Sequence, residues 1–280
     1  MTGIVIIIAA VAFLCICCLL AIKPATFRKQ KLRPFTLKPV AHRGLFSNPE
    51  IPENSLPAFK RAVDAGFPIE LDVQLTTDDR LVVFHDSTLK RACGDGRKIF
   101  EVSFEELQKL SLFGTQEKIP LFSEALEVIG GKVPLVMEIK PDGRYEETAR
   151  LASEMLKSYN GTVCLESFNP KVLAWYRKND PEIPRGLLAT DFFKEENDQK
   201  GFVKFLLTGL LLNFLAGPDF ISYNYHFRKN LSFRLCKTLY RPATAAWTIK
   251  SEKERREAEK EFDIVIFDGF MPEIPKGDQQ

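Results

Sequence analysis

Short, mostly apolar runs of strand length recur along most of this chain, with helical stripes between them. Ile69, Leu71 and Val73 alternate with Glu70 and Asp72, the period of two that marks a strand. Other strand-length, mostly apolar runs occupy 38–42, 133–139, 162–166, 185–189, 219–222, 243–248 and 264–267. The intervening segments carry helix signals. Asn54 or Ser55 can cap a helix with Leu56, Phe59 and Val63 as its stripe, Pro57 in its first turn and Gly66 at its end. Ser103 and Ser251 each precede a Glu by three positions, the capping-box spacing. Ser123 opens a helix ending at Gly130, residues 144–158 gather Leu151, Ala152 and Met155 on one side, and Asn169-Pro170 opens another. Strand, helix, strand means parallel strands. Eight of them alternating with helices predict a (β/α)8 TIM barrel, an α/β fold. Residues 81–85 follow the turn Thr76-Thr77-Asp78-Asp79-Arg80 too closely for a crossover, so they should return antiparallel, within an excursion over about 76–120.

The N-terminus follows a different pattern. Residues 3–22 carry no charge, and twenty helical residues reach ~30 Å, the thickness of a bilayer core. A secretory signal would have a basic start and a small-residue cleavage site, and neither is present. None of Cys15, Cys17 and Cys18 follows the two small residues of a lipoprotein signal. The expectation is an uncleaved transmembrane anchor over 1–22, a basic juxtamembrane linker over 23–37, a barrel over 38–272 and a tail over 273–280. Lys23, Arg28, Lys29, Lys31, Arg33 and Lys38 follow the anchor without an acid among them, which by the positive-inside rule puts the barrel in the cytoplasm. The three cysteines beyond the anchor are odd in number and widely spaced, so no disulfide framework is implied. The net charge of +2 conceals an asymmetry: beyond residue 38 there are 33 basic against 37 acidic residues. A mildly acidic domain without a broad basic field excludes nucleic acid as the expected partner. Oligomeric state is left open.

Residues two apart on a strand face the same way, so Glu70 and Asp72 project together. Alone, such a pair is usually a solvated edge strand. The barrel changes that reading, because active sites lie at the C-terminal ends of its strands. His42 ends the first strand, Glu70 and Asp72 lie on the second, Glu138 ends the third, and His85 closes the return strand. Two of the chain's three histidines thus converge on a carboxylate cluster, while His226 has no evident partner. Neighbouring carboxylates repel unless a cation or proton lies between them, and a divalent metal beside imidazoles would equip a hydrolase.

His42-Arg43-Gly44, Pro52-Glu53-Asn54-Ser55, the strand 69–73, Val83-Phe84-His85-Asp86 with Arg91, and Glu138-Ile139-Lys140 resemble, in order and spacing, the glycerophosphodiester phosphodiesterase family, bacterial membrane-anchored type. Weaker blocks are Glu166-Ser167-Phe168-Asn169-Pro170, Ala246-Trp247-Thr248 and Ile266-Phe267-Asp268. The resemblance implies that Glu70, Asp72 and Glu138 hold one divalent cation, Mg2+ or Ca2+, and that His42 and His85 are the acid–base pair. It leaves their division of roles open, as it does direct water attack against a cyclic phosphate. Arg43 and Lys140 are candidates for the phosphate, or else salt-bridge partners of Glu53 and Glu138. Trp247 could line the glycerol pocket or belong to the core. Lys250 stands where the family often has Asn, which bears on substrate contacts and not on the metal. The implied activity releases glycerol 3-phosphate and an alcohol from glycerophosphodiesters. Alternatives are a lysophospholipase D acting on membrane lysolipids, and an inactive headgroup-binding scaffold. Residues 201–217 are almost as apolar as the anchor but shorter. They read as a packed barrel helix, or as an interfacial one with Phe202, Phe205, Leu206, Leu210 and Phe214 toward the bilayer.

Overall fold

The computed structural model describes residues 2–140, 143–195 and 199–273, so 274–280 of the expected tail lie outside the described residues. Helix α1 (Thr2–Ala21) is the one described helix long and apolar enough to cross a membrane, and none of its residues is buried. Its foot is built into the domain. Ile22 is buried in the main core, and its carbonyl accepts from Asn213 Nδ2 at 2.7 Å and Cys236 Sγ at 3.4 Å. Tyr240 Oη donates to the Leu19 carbonyl at 2.7 Å.

The stretch expected as a linker is largely folded. Lys29–Thr36 forms a 3-10 helix, and residues three apart share one side of such a helix, here Leu32 and Phe35. Both are buried against Val40, Phe220, Ala243 and Ile264, at the N-terminal ends of the strands, so they plug the barrel floor. Arg28 adds an ion pair to buried Asp219 at 3.4 Å.

The wall then runs β1 (Val40–Ala41), α2 (Leu56–Ala65), β2 (Ile69–Leu75) and β3 (Leu81–Val83). Short helices α3 (Lys90–Cys93) and α4 (Phe104–Leu107) lead to α5 (Phe122–Ile129), β4 (Leu135–Ile139), α6 (Tyr145–Leu156), β5 (Val163–Ser167) and α7 (Pro170–Asn179). Next come β6 (Arg185–Ala189), α8 (Gly201–Thr208), α9 (Asn213–Ala216), β7 (Phe220–Asn224) and α10 (Leu231–Tyr240). The last elements are β8 (Ala243–Ile249), α11 (Glu252–Ala258) and β9 (Ile264–Phe267). The cap signals act as expected: Ser55 accepts from the Ala58 amide, Ser103 and Glu106 form a capping box, and Ser251 accepts from the Glu254 amide.

Eight parallel strands close when β1 pairs with β2 (Ala41↔Ile69) on one side and β9 (Val40↔Ile266, Ala41↔Phe267) on the other. Strand β3 is the exception, antiparallel to the upper half of β2 at Val73↔Val83, and it opens an excursion with its own core of Val82, Phe84, Leu89, Ile99 and Leu107. Inside the barrel the floor is tightly filled: a Cβ at Gly186 would lie 2.2 Å from the Phe220 ring. Residues 201–217 match neither expectation whole. They break into α8 and α9, turning Leu207, Leu210, Asn213 and Ala216 inward while Phe202, Phe205 and Phe214 stand exposed.

Candidate active site

The barrel brings the expected residues to one mouth. On β2, Glu70 and Asp72 face inward; Asp72 pairs in register with Glu138 of β4, which pairs with Glu166 of β5. Ligand oxygens of Glu70, Asp72 and Glu138 lie within 4.8 Å of one another, and all three residues are buried. Lys140 Nζ lies 2.8 Å from Asp72 Oδ1 and 2.9 Å from Glu138 Oε1. Asn54 Nδ2 donates to Asp72 Oδ2 at 2.7 Å, and the Arg43 amide donates to Glu70 Oε2 at 3.0 Å. The turn after β1 makes this possible. Arg43 and Gly44 both take positive φ, and at Gly44 any Cβ would stand 2.9 Å from the Ala58 carbonyl carbon.

The electrostatics are those of acids short of countercharge. Burial, then Asp72 and Glu138, push Glu70 well above the carboxylate range. Burial raises Glu138 to about 7, with Lys140 opposing and Asp72 adding. Burial and the charge of Glu138 raise Glu166 to about 8. Asp72 goes the other way: burial disfavours its charge, but Lys140, His85 and Arg43 outweigh it. An all-oxygen donor set of buried acids crowded within 4.8 Å of one another fits a hard divalent ion. One Glu166 oxygen, buried and without a hydrogen-bond partner, adds to that fit.

Each histidine has its own carboxylate. His42 Nδ1 meets Asp268 Oδ2 at 2.9 Å, and its Nε2 lies 3.9 Å from Glu70 Oε2. His85 Nδ1 meets Asp86 Oδ1 at 2.7 Å. An ionised carboxylate accepts only, so it fixes the proton on Nδ1 and leaves Nε2 as the free lone pair. Burial and Arg43 lower His42, and burial and Lys140 lower His85 to about 4, so both imidazoles are neutral at pH 7. Behind them runs a charge relay of structural contacts. Arg91 Nε and Nη2 reach Asp86 at 2.7 and 2.9 Å, and its Nη2 and Nη1 reach Glu53 at 2.6 and 3.0 Å. Arg43 Nη1 reaches the same Glu53 at 2.6 Å. Those two guanidinium groups overcome burial and hold Glu53 at about 2. Gln74 Nε2 clamps the loop by donating to the carbonyls of Phe84 and Asp86 at 2.8 and 2.9 Å.

The mouth holds a pocket of about 80 Å³ lined by His42, Arg43, Glu70, His85, Glu138, Glu166, Phe168 and Trp247, among others. A groove of about 640 Å³ on α10 is larger, but the mouth has the chemistry. Trp247 packs edge-on against Phe168 at 5.5 Å, and its buried Nε1 has no partner among the described residues. Arg43 reaches the pocket while paired to Glu53. Lys140 sits behind the carboxylates and does not line it. Three site residues escaped assignment. Glu166 shares the inward parity of Cys164, Asp268 directly follows β9 and meets His42 only through barrel closure, and Asp86 makes a local contact with the His85 before it.

Acids that cannot all ionise without a cation, set between two imidazoles of fixed tautomer, are equipped to move protons at a charged ester. The fold and the site together define a barrel phosphodiesterase. The chain belongs to the glycerophosphoryl diester phosphodiesterase family, whose model matches residues 42–270. A glycerophosphodiester phosphodiesterase of Caldanaerobacter subterraneus is 39% identical over a stretch covering 53% of this chain and 65% of that relative's length. A lysophospholipase D of Rattus norvegicus is 28% identical over 90% of this chain and 88% of its own. An Oleispira antarctica phosphodiesterase, solved in complex with the product sn-glycerol-3-phosphate, superposes with a TM-score of 0.65 at 27% identity, covering 82% of this chain and 92% of that one.

Proposed function

We propose that this chain is a membrane-anchored, metal-dependent enzyme that hydrolyses glycerophosphodiesters to glycerol 3-phosphate and an alcohol. The observation that carries the reading is the buried triad of Glu70, Asp72 and Glu138 between two Asp-oriented histidines, in a barrel of this family. The product bound in the Oleispira antarctica relative supports the substrate class. The triad would hold one divalent cation, Mg2+ or Ca2+, which when bound supplies countercharge to the phosphate. The chain's own residues do the rest. One imidazole, neutral, takes the proton of the attacking hydroxyl on its Nε2, and the other, entering the step as imidazolium, gives its Nε2 proton to the leaving oxygen. Phosphate charge in the mouth raises the depressed histidines toward the neutral range that this exchange needs. Arg43, which lines the mouth, is the cation for the phosphate, Lys140 balances the charge of Asp72 and Glu138 from behind, and the Nε1 of Trp247, without a partner among the described residues, is the donor for a glycerol oxygen.

A second reading keeps the site and changes the substrate to a membrane lysolipid. Similarity to the lysophospholipase D over most of both chains favours it, as do the exposed phenylalanines of α8 and α9 beside the anchor. Purified protein with Mg2+ or Ca2+, assayed side by side on glycerophosphocholine and lysophosphatidylcholine, separates the two. Turnover of neither would leave the scaffold reading and sink both. The burial of Ile22 supports an anchor that stays on the chain, since cleavage after α1 would cut into the core. The basic flank orients the barrel to the cytoplasm, and a reporter fused after Gln280 that behaves as extracellular would overturn that.

A further inference from the structure

Helix α10 presents three faces, and only one is used by the fold. Phe233 is buried in the core, and Cys236 and Tyr240 bond the foot of α1 at Ile22 and Leu19. Leu231, Leu235 and Leu239, spaced four apart, form an exposed apolar row at 70%, 39% and 53% exposure. On the remaining face, Arg234, Lys237 and Arg241 line the groove of about 640 Å³ with Arg228, Lys229 and Phe233, against one acid, Glu261. Glu261 is engaged already: Arg228 Nε lies 3.4 Å from its carboxylate, and Lys237 donates to its carbonyl. The side chains of Lys229 and Arg234 have no partner among the described residues.

The groove's place decides what it fits. One end of α10 touches the last turn of α1, where the chain leaves its apolar span, and Lys29 Nζ reaches the Arg241 carbonyl at 3.5 Å. Ten helical residues reach only ~15 Å, so the whole groove lies within about two Debye lengths of the end of that span. Exposed leucines beside unpaired cations, continuous with an anchor's foot, match the two layers of a bilayer surface, acyl chain and phosphate. The geometry points to α10 as a binding site for the phosphate of an anionic phospholipid headgroup, with the leucine row seated among the acyl chains. This rests on α1 being the anchor, and it concerns a face that does not line the catalytic mouth.

The test uses the full chain in detergent, stripped of lipid, with phosphatidylglycerol or phosphatidylcholine added and bound lipid counted by native mass spectrometry. The same spectra give the intact mass, which reports separately whether α1 is still attached. Each basic residue at an anionic surface contributes about fivefold in affinity, so Lys229→Gln with Arg234→Gln should weaken phosphatidylglycerol binding ~25-fold. Phosphatidylcholine binding and turnover of soluble glycerophosphocholine should not change. Equal phosphatidylglycerol binding by the double variant would overturn the site. So would displacement of the lipid by millimolar inorganic phosphate, which would make a free anion the ligand, or a loss of soluble turnover, which would assign these cations to the fold.

Discussion

Asp268→Asn should disable the enzyme while leaving it folded and able to bind substrate. Asp268 Oδ2 stands 2.9 Å from His42 Nδ1, and the carboxylate is held below its usual range, chiefly by that histidine against the opposing effect of burial. It is therefore ionised at neutral pH and can only accept, which puts the imidazole proton on Nδ1. An Asn of the same shape can turn its amide NH2 toward Nδ1, and the proton then moves to Nε2. That blocks the lone pair directed at the mouth. A carboxylate that orients a catalytic histidine is worth as much as ~10⁴-fold in kcat, and a positioned base alone ~10²–10⁴-fold. The expected loss in kcat is therefore about 10²–10⁴-fold, with KM within about twofold, because the triad and Arg43 remain. Steady-state kinetics on glycerophosphocholine read the split, and a thermal melt checks the fold. Asp268→Glu, which keeps an acceptor, should recover part of kcat. A variant within twofold of wild type would show that the tautomer of His42 does not matter to the reaction. A loss confined to KM would make Asp268 a substrate ligand instead.

Chelation should abolish hydrolysis and Mg2+ or Ca2+ restore it, with apparent metal affinity rising from pH 6 to 8. Glu138, raised to about 7, keeps its proton below that pH and must release it to the cation, so affinity falls as pH falls, by up to about tenfold per unit for each proton; a flat profile by isothermal titration would refute the assignment. His85→Ala should lower kcat about 10²–10⁴-fold on a choline ester; if His85 is the acid, a nitrophenyl ester should recover much of the rate and His42→Ala should not. Phe35→Ala, which hollows out a fully buried side chain in the barrel floor, should cost about 3–5 kcal/mol and lower the melting temperature by ~10 °C, with turnover at 25 °C kept.

The wall of the barrel is readable in the sequence because its strands are short apolar runs of definite parity between capped helices, and β1, only two residues long, is marked by His42-Arg43-Gly44 after it. The triad was readable for the same reason, since parity on β2 decides that Glu70 and Asp72 share a face. What escaped depends on closure. Leu32 and Phe35 look like stray apolar residues in a basic stretch, and their spacing of three has meaning only once a floor exists to receive them. Residues 201–217 offered hydrophobicity on every face, so no stripe could say which side packs; the turn at 209–212 splits it. Arg43 and Lys140 were read as phosphate cations or salt-bridge partners, and both form the salt bridges, to Glu53 and to Asp72 with Glu138.

The join between β1 and β9 has a consequence for how the molecule comes into being. His42 waits 226 residues for Asp268, and the β1 edge waits equally long for Ile266 and Phe267. A ribosome delivers α1 and the floor segment long before β9, so the base of the growing domain is made while its wall still gapes. Through that interval the first catalytic imidazole has no orienting acid, and β1 offers an unpaired backbone edge, the kind of surface that invites wrong partners. The nascent chain should therefore be silent toward diesters until β9 docks, so that competence arrives in one step near the end of synthesis.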